Sequence, residues 1–222
     1  MADAAANRIL VINPNSNAAV TAEIAAAVGD LAFPGGPAIQ CVTLHEGPPG
    51  VETQGDVEHA TRLVLDYVGR EAASAYVIAC YSDPGLIAAR EATARPVLGI
   101  GEAGTFAAMM RGDRFGVIAI LDASVRRQQR QVRMLGVAPR YAGSKAIGLS
   151  VAELADHGRT RERMIAAGAF LRDTQQADVL ILGCAGMARH RAALEDALGL
   201  PVIEPSRAAT AMALAMARLA AE

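Results

Sequence analysis

The segment PVLGIGEAGT at 96–105 returns 105 positions later as PVIEPSRAAT at 201–210, with Pro, Val, Ala and Thr in register. A repeat of this length obliges the chain to build one substructure twice, so that equivalent positions come to face each other about a pseudo-two-fold axis. Upstream of each copy lies an apolar strand that ends in cysteine. YVIAC ends at Cys80 and ILGC at Cys184, an offset of 104, so a one-residue indel separates the two matches. RILVINPNSN pairs in the same way with FGVIAILDAS at offsets of 107–108.

β-rich runs alternate with amphipathic or Ala-rich stretches from end to end. Strands are expected at RILVIN (8–13), AIQCVTL (38–44), YVIAC (76–80), PVLGI (96–100), FGVIAIL (115–121), AIGLS (146–150), DVLILGC (178–184) and PVIEP (201–205). Helices are expected between them, among them one from Pro84, one from Gly104, one over 123–135 and one running through 173. Strand followed by helix throughout predicts an α/β fold whose parallel sheets are covered on both faces. The repeat divides it into two pseudo-two-fold-related lobes of about four parallel strands each. Residues 1–104 plus 207–222 are assigned to the first lobe and 105–206 to the second, the C-terminal helix packing back on the first. Ligands of open parallel sheets sit beyond the carboxyl ends of the strands, where both cysteines stand. The cleft between the lobes is therefore the expected active site.

A single thiol at a strand end is most simply a packing residue. Recurrence at equivalent points of a repeat reverses that weighting for Cys80 and Cys184, and Cys41, which has no repeat partner, keeps it. After Cys80 come Ser82, Asp83 and Pro84, with Asp83 suited to an N-cap and Pro84 to a first helical turn. After Cys184, Ala185 and Gly186 lead into another helix-like run. A helix start offers free N–H groups and partial positive charge, which favours thiolate and lowers a thiol's pKa. Two such thiols across a cleft suit removal of a proton from a carbon beside a carbonyl on one face and its return on the other, with the enolate oxygen held by the same N–H groups. That chemistry requires no cofactor.

At these residues the chain resembles the aspartate/glutamate/hydantoin racemase superfamily and, within it, the hydantoin and allantoin racemase branch. The motifs are VINPNSN (11–17), GPPGVET (47–53), CYSDPGLIAARE (80–91), PVLGIGEA (96–103) and LGCAGMA (182–188), and together they cover nearly the whole chain. The resemblance implies a cofactor-independent racemase in which Cys80 and Cys184 act on opposite faces of the ring carbon of a 5-substituted hydantoin or an allantoin-like ureide. It also implies that Asn13, Asn15 and Ser16 help to hold the ring, with Ser82 and the backbone of Ala185 and Gly186 as further candidates, and that the protein is a homo-oligomer. Tyr81-Ser82 and Ala185-Gly186 follow the cysteines where amino-acid racemases have Asn-Thr and Thr-His, which argues against free glutamate or aspartate. Maleate isomerase-like and decarboxylase-like activities are the alternatives within the superfamily. Ala119 and Ile120 stand where hydantoin racemases often carry Thr.

A rival from another class is a dinucleotide-binding oxidoreductase, because Gly99, Gly101 and Gly104 form a literal GxGxxG after a strand, with Asp122 downstream. The equivalent turn at 204–209 reads EPSRAA and carries no glycine, so the turn does not require a phosphate cradle. A net charge of −2, from 21 basic and 23 acidic side chains, leaves no electrostatic footprint for nucleic acid or an anionic membrane. The local excess Arg126, Arg127, Arg130 and Arg133 reads as a solvated helix face. His45, His59, His157 and His190 show no metal-ligand spacing, so no metal is expected. Three cysteines are an odd number and too few for a disulfide framework; with no apolar run of membrane-spanning length and no signal segment in MADAAANRIL, a cytoplasmic protein with free thiols is expected.

Overall fold

The computed structural model describes residues 7–220; the first six residues, part of the start read as lacking a signal segment, and the last two of the C-terminal segment lie outside the described residues. One sheet holds β1 (Arg8–Asn13), β2 (Ala38–Thr43), β3 (Ala75–Ile78) and β4 (Val97–Gly99) in the order β2-β1-β3-β4. The other holds β5 (Phe115–Ala119), β6 (Tyr141–Ala146), β7 (Val179–Leu182) and β8 (Val202–Ile203) in the order β6-β5-β7-β8. Every pairing is parallel, and the two strand orders are the same order counted from each half's own start. This is the expected α/β architecture of two four-stranded sheets.

The inner strands β1, β3, β5 and β7 bury both faces, as their near-continuous apolar runs require, while the edge strands β2 and β6 stay partly exposed. Ile9 and Val11 of β1 face one core with α1 (Ala18–Val28) and α8 (Pro205–Leu219), while Leu10 and Ile12 face another with α2 (Gln54–Arg70) and α3 (Leu86–Ala92). In the second sheet Phe115 and Val117 face α4 (Ile100–Met109) and α5 (Asp122–Met134). Ile118, Leu180 and Leu182 face α6 (His157–Asp173) and α7 (Arg191–Leu198). Full burial of such side chains is worth about 1.5–3 kcal/mol each. Local signals begin the helices: Asn17 caps α1, Thr53 and Asp56 form a capping box on α2, and Asp156 caps α6.

The helices that follow the repeat motif are exchanged. α4, made by the first half of the chain, lies on β5, β7 and β8, whereas α8 lies on β1, β3 and β4, and the two helices pack against each other. Close approach there needs Gly104, where a β-carbon would sit 2.9 Å from Pro205 Cβ.

Several local expectations are corrected. The strand assigned to AIGLS is YAGSKA (141–146) instead. Ile147 and Gly148 still donate to the Ala119 and Ile120 carbonyls at 2.9 and 2.8 Å, but Gly148, at φ +67°, turns the chain off the sheet. No helix begins at Pro84: Asp83 and Gly85 have φ of 47° and 75°, so Cys80 is followed by a turn and α3 starts at Leu86. The helix expected from Gly104 begins earlier, at Ile100. After Cys184 the chain makes a 3-10 helix over Ala185–His190 before α7. Among the described residues no helix is long and apolar enough to cross a membrane.

Candidate active site

Ala79 N donates to Ile12 O and Gly183 N to Ile118 O, both at 2.8 Å, extending β3 and β7 by one hydrogen bond. Cys80 and Cys184 are the next residues, and both line a small cavity of about 40 Å³ between the sheets. Val20, Val51, Ile120 and Val151 supply apolar walls, and Asn15, Ser82, Ser124, Arg127, Gln128 and Gln131 supply polar ones. A cavity of this size holds water-sized groups.

Both cysteines are half-buried. Burial accordingly pushes the Cys80 thiol up to about 12, against the Ser82 N–H directed at it and the Arg127 charge, and the Cys184 charge raises it further. Cys184 is pushed up to about 11 by burial, against the Gly186 N–H. The expected lowering by the chain starts after each cysteine is thus corrected: the N–H groups are present, and desolvation outweighs them. Cys41 lies in β2 away from the cavity, and burial raises it to about 11.

The turn after Cys80 is held by a contact that local sequence did not suggest. Asp83 caps a different helix: its carboxylate accepts from Gly101 N and Glu102 N at the start of α4, each at 2.8 Å, and from Gln131 Nε2 of α5 at 2.8 Å. Burial raises this carboxyl to about 7 against those N–H groups. A β-carbon on Gly99 would lie 2.3 Å from Asp83 Cγ, and one on Gly101 would lie 2.3 Å from Tyr81 O. With Gly104 set against Pro205, each glycine of the GxGxxG has a packing reason unconnected with a nucleotide. The second copy solves the same problem locally, since Glu204 caps α8 through Ser206 N and Arg207 N, the positions equivalent to Gly101 and Glu102.

Of the proposed ring-holding residues, Asn15, Ser82 and Ala185 line the cavity. Asn15 Oδ1 accepts from Asn13 Nδ2 and Asn17 N, which leaves the Asn15 amide N–H groups for a ligand. Asn13 is fully buried and braces the loop through Asn15, Asn17 and Thr21. Ser16 anchors the loop through its N–H to Pro48 O and is not among the lining residues. Gly186 stands beside the cavity, where a β-carbon would be 3.8 Å from Cys184 Sγ.

Residues of α5 were missed. Arg127 belongs to the run read as a solvated face, yet it lines the cavity; its Nε is buried without a partner, and its Nη2 donates to Ser124 Oγ at 3.1 Å. Gln128 is 4% exposed and its Oε1 also lacks a partner. Arg126, Arg130 and Arg133 are exposed, as read. Glu102 forms a two-point ion pair with Arg90 at 2.8 and 3.1 Å. Among the described residues no cluster of three or more His, Cys, Asp or Glu side chains could hold a metal.

Comparison with known proteins agrees with this arrangement. A hydantoin racemase of Paenarthrobacter aurescens is 35% identical over 217 residues, covering 96% of this chain and 92% of that protein. An allantoin racemase from Klebsiella pneumoniae superposes with a TM-score of 0.89 at 32% identity, over 96% of this chain and 88% of that one. A glutamate racemase from Bacillus anthracis, at 21% identity and a TM-score of 0.66 over 94% of this chain and 80% of that one, shares the fold. The Asp/Glu/Hydantoin racemase family model matches residues 9–213. The repeat, the paired sheets and the extent of these matches together establish that the chain belongs to the Asp/Glu/hydantoin racemase family, on its hydantoin and allantoin racemase branch.

Proposed function

We propose that the chain is a cofactor-independent isomerase that inverts the ring stereocentre of a 5-substituted hydantoin or a related cyclic ureide such as allantoin. The observation that carries this reading is the pair of thiols, Cys80 and Cys184, at chain-equivalent points beyond β3 and β7 and on the wall of one cavity. The names of relatives that match along nearly the whole chain support the substrate class.

One sulfur, as thiolate, takes the proton from the ring carbon beside the carbonyl, and the electron pair of that C–H bond moves onto the carbonyl oxygen. The thiol on the other face then delivers its proton to the carbon as the electrons return. Acid and base exchange roles for the opposite enantiomer. This scheme requires one thiolate and one thiol, and the mutual repulsion of the sulfur charges favours that singly ionised pair over the doubly ionised one. Ser82 N–H and the Arg127 charge favour thiolate at Cys80, and Gly186 N–H favours it at Cys184. The valine and isoleucine walls keep water from the enolate.

The test is incubation of one enantiomer of a 5-substituted hydantoin, and separately of allantoin, in deuterated water, following rotation and deuterium at the ring carbon. Loss of rotation with deuterium uptake is expected, and Cys80→Ser and Cys184→Ser should each lower the rate by about 10²–10⁴-fold. Uptake without inversion would replace the two-thiol mechanism by a one-base exchange.

A further inference from the structure

Helix α5 turns Ser124, Arg127, Gln128 and Gln131, spaced i, i+3, i+4 and i+7, toward the thiol cavity. Gln131 is held by Asp83, and Ser124 accepts from Arg127. Arg127 Nε and Gln128 Oε1 are buried and unpaired. Orphaned polar groups of this kind are costly unless a ligand completes them.

Among the described residues Arg127 enters no ion pair with a carboxylate. The Cys80 sulfur, when ionised, is in electrostatic reach of Arg127, and so are the carboxylates of Asp56 and Glu52, which are engaged by other donors. Asp56 accepts from Glu52 N and Thr53 N at 3.0 and 2.8 Å, and Glu52 accepts from Val151 N at 2.8 Å. Arg130 stands near enough for its charge to oppose that of Arg127, and its polar partner is the neutral Gln54 at 3.1 Å. Arg127, Ser82 and Gln131 also line a second, adjoining cavity of about 230 Å³, whose walls include Val57, Leu86, Leu135 and Arg130. Two carboxylates line it as well, Asp83, which is held by Gly101 N, Glu102 N and Gln131 Nε2, and Glu102, which is paired with Arg90. The space beside the thiols thus offers apolar contacts for a short stem and a cationic end for its head.

We propose that Arg127 is the specificity-determining residue of this site and selects hydantoins whose ring substituent ends in a carboxylate on a short methylene stem. The carboxylate pairs with the Arg127 guanidinium in the adjoining cavity, and Gln128 Oε1 accepts from a ring N–H. The inference rests on the hydantoin reading above and narrows it.

The experiment compares a hydantoin bearing a propionate side chain with its propionamide counterpart, of nearly equal size and without the charge. Racemisation and deuterium uptake are measured for both in the wild-type protein, Arg127→Lys and Arg127→Met. The wild type is expected to favour the acid in kcat/KM by about tenfold or more, mainly through KM. That ratio should fall toward one in Arg127→Met and survive in part in Arg127→Lys. A wild-type ratio near one, or turnover of the amide alone, overturns the selectivity while leaving hydantoin racemisation intact. An undiminished ratio in folded Arg127→Met removes Arg127 as its source. If Arg127→Met does not fold, Arg127→Lys decides, because a rigid two-point pairing weakens with a lysine and a residue uninvolved in the contact leaves the ratio unchanged. Absence of exchange on every hydantoin tested overturns the function reading, and this inference with it.

Discussion

The thiols to which the proposed mechanism assigns the chemistry also carry a contribution to stability that depends on pH. Cys41, Cys80 and Cys184 are raised by burial to about 11, 12 and 11, whereas an exposed thiol of the unfolded chain ionises near 9. The folded protein therefore holds these protons when the unfolded chain has released them. The stabilising contribution is complete below about pH 9 and is lost as pH rises through 11 and 12. Denaturation midpoints are expected to fall between pH 7.5 and pH 10, and an unchanged or higher midpoint would contradict the burial argument. The same shifts predict that kcat/KM for racemisation rises from pH 7 to pH 10, because the base form of the thiol pair becomes more populated; a flat profile would show that the working thiolate is generated by another route. Both cysteines were legible in the sequence because a repeat marks positions that a lone Cys does not. Arg127 and Gln128 were not, since polar residues at helical spacing look alike whether they face water or an enclosed cavity.

At the level of elements, alternation of strand and helix was plain because strands buried on both faces must be apolar throughout. The boundaries around Cys80 were misread for a physical reason. Asp83 looks like the cap of the helix beside it, and its carboxylate instead accepts from Gly101 N, 18 residues on at the start of α4, a contact created by the fold. Asp83→Ala leaves Gly101 N and Glu102 N without their acceptor and should destabilise by about 1–2 kcal/mol. It should also slow racemisation through the Cys80 turn, whereas Asp83→Asn, which keeps one acceptor oxygen, retains part of both. Gly101→Ala drives a methyl group to 2.3 Å from Tyr81 O and 2.5 Å from Gln131 Nε2 and should destabilise by about 1–3 kcal/mol. A neutral result by urea denaturation would mean that the turn has freedom to move aside.

Over the whole molecule the exchanged helices make the lobes interdependent. α4 completes the second sheet and α8 the first, and a single core runs from Ile9 and Val77 through Ala103 and Ala209 to Leu180 and Leu182. Unfolding should therefore be one cooperative transition, with far-ultraviolet dichroism and accessibility of the buried thiols changing together. Separate transitions would show lobes that stand alone. The repeat announced the two-fold arrangement, but an exchange of helices leaves no mark on hydrophobic pattern, because a helix is equally apolar whichever sheet it covers. The unequal mounting of the two thiols has a kinetic consequence. Cys80 sits on a turn tied to two helices through Asp83, while Cys184 opens a 3-10 helix whose neighbour α8 is capped independently by Glu204. Mirror-image substrates have equal free energy, so the Haldane relation fixes kcat/KM at the same value for both. The mechanical difference between the two thiols is free to appear only in kcat and KM separately, which rise or fall together as one enantiomer is exchanged for the other.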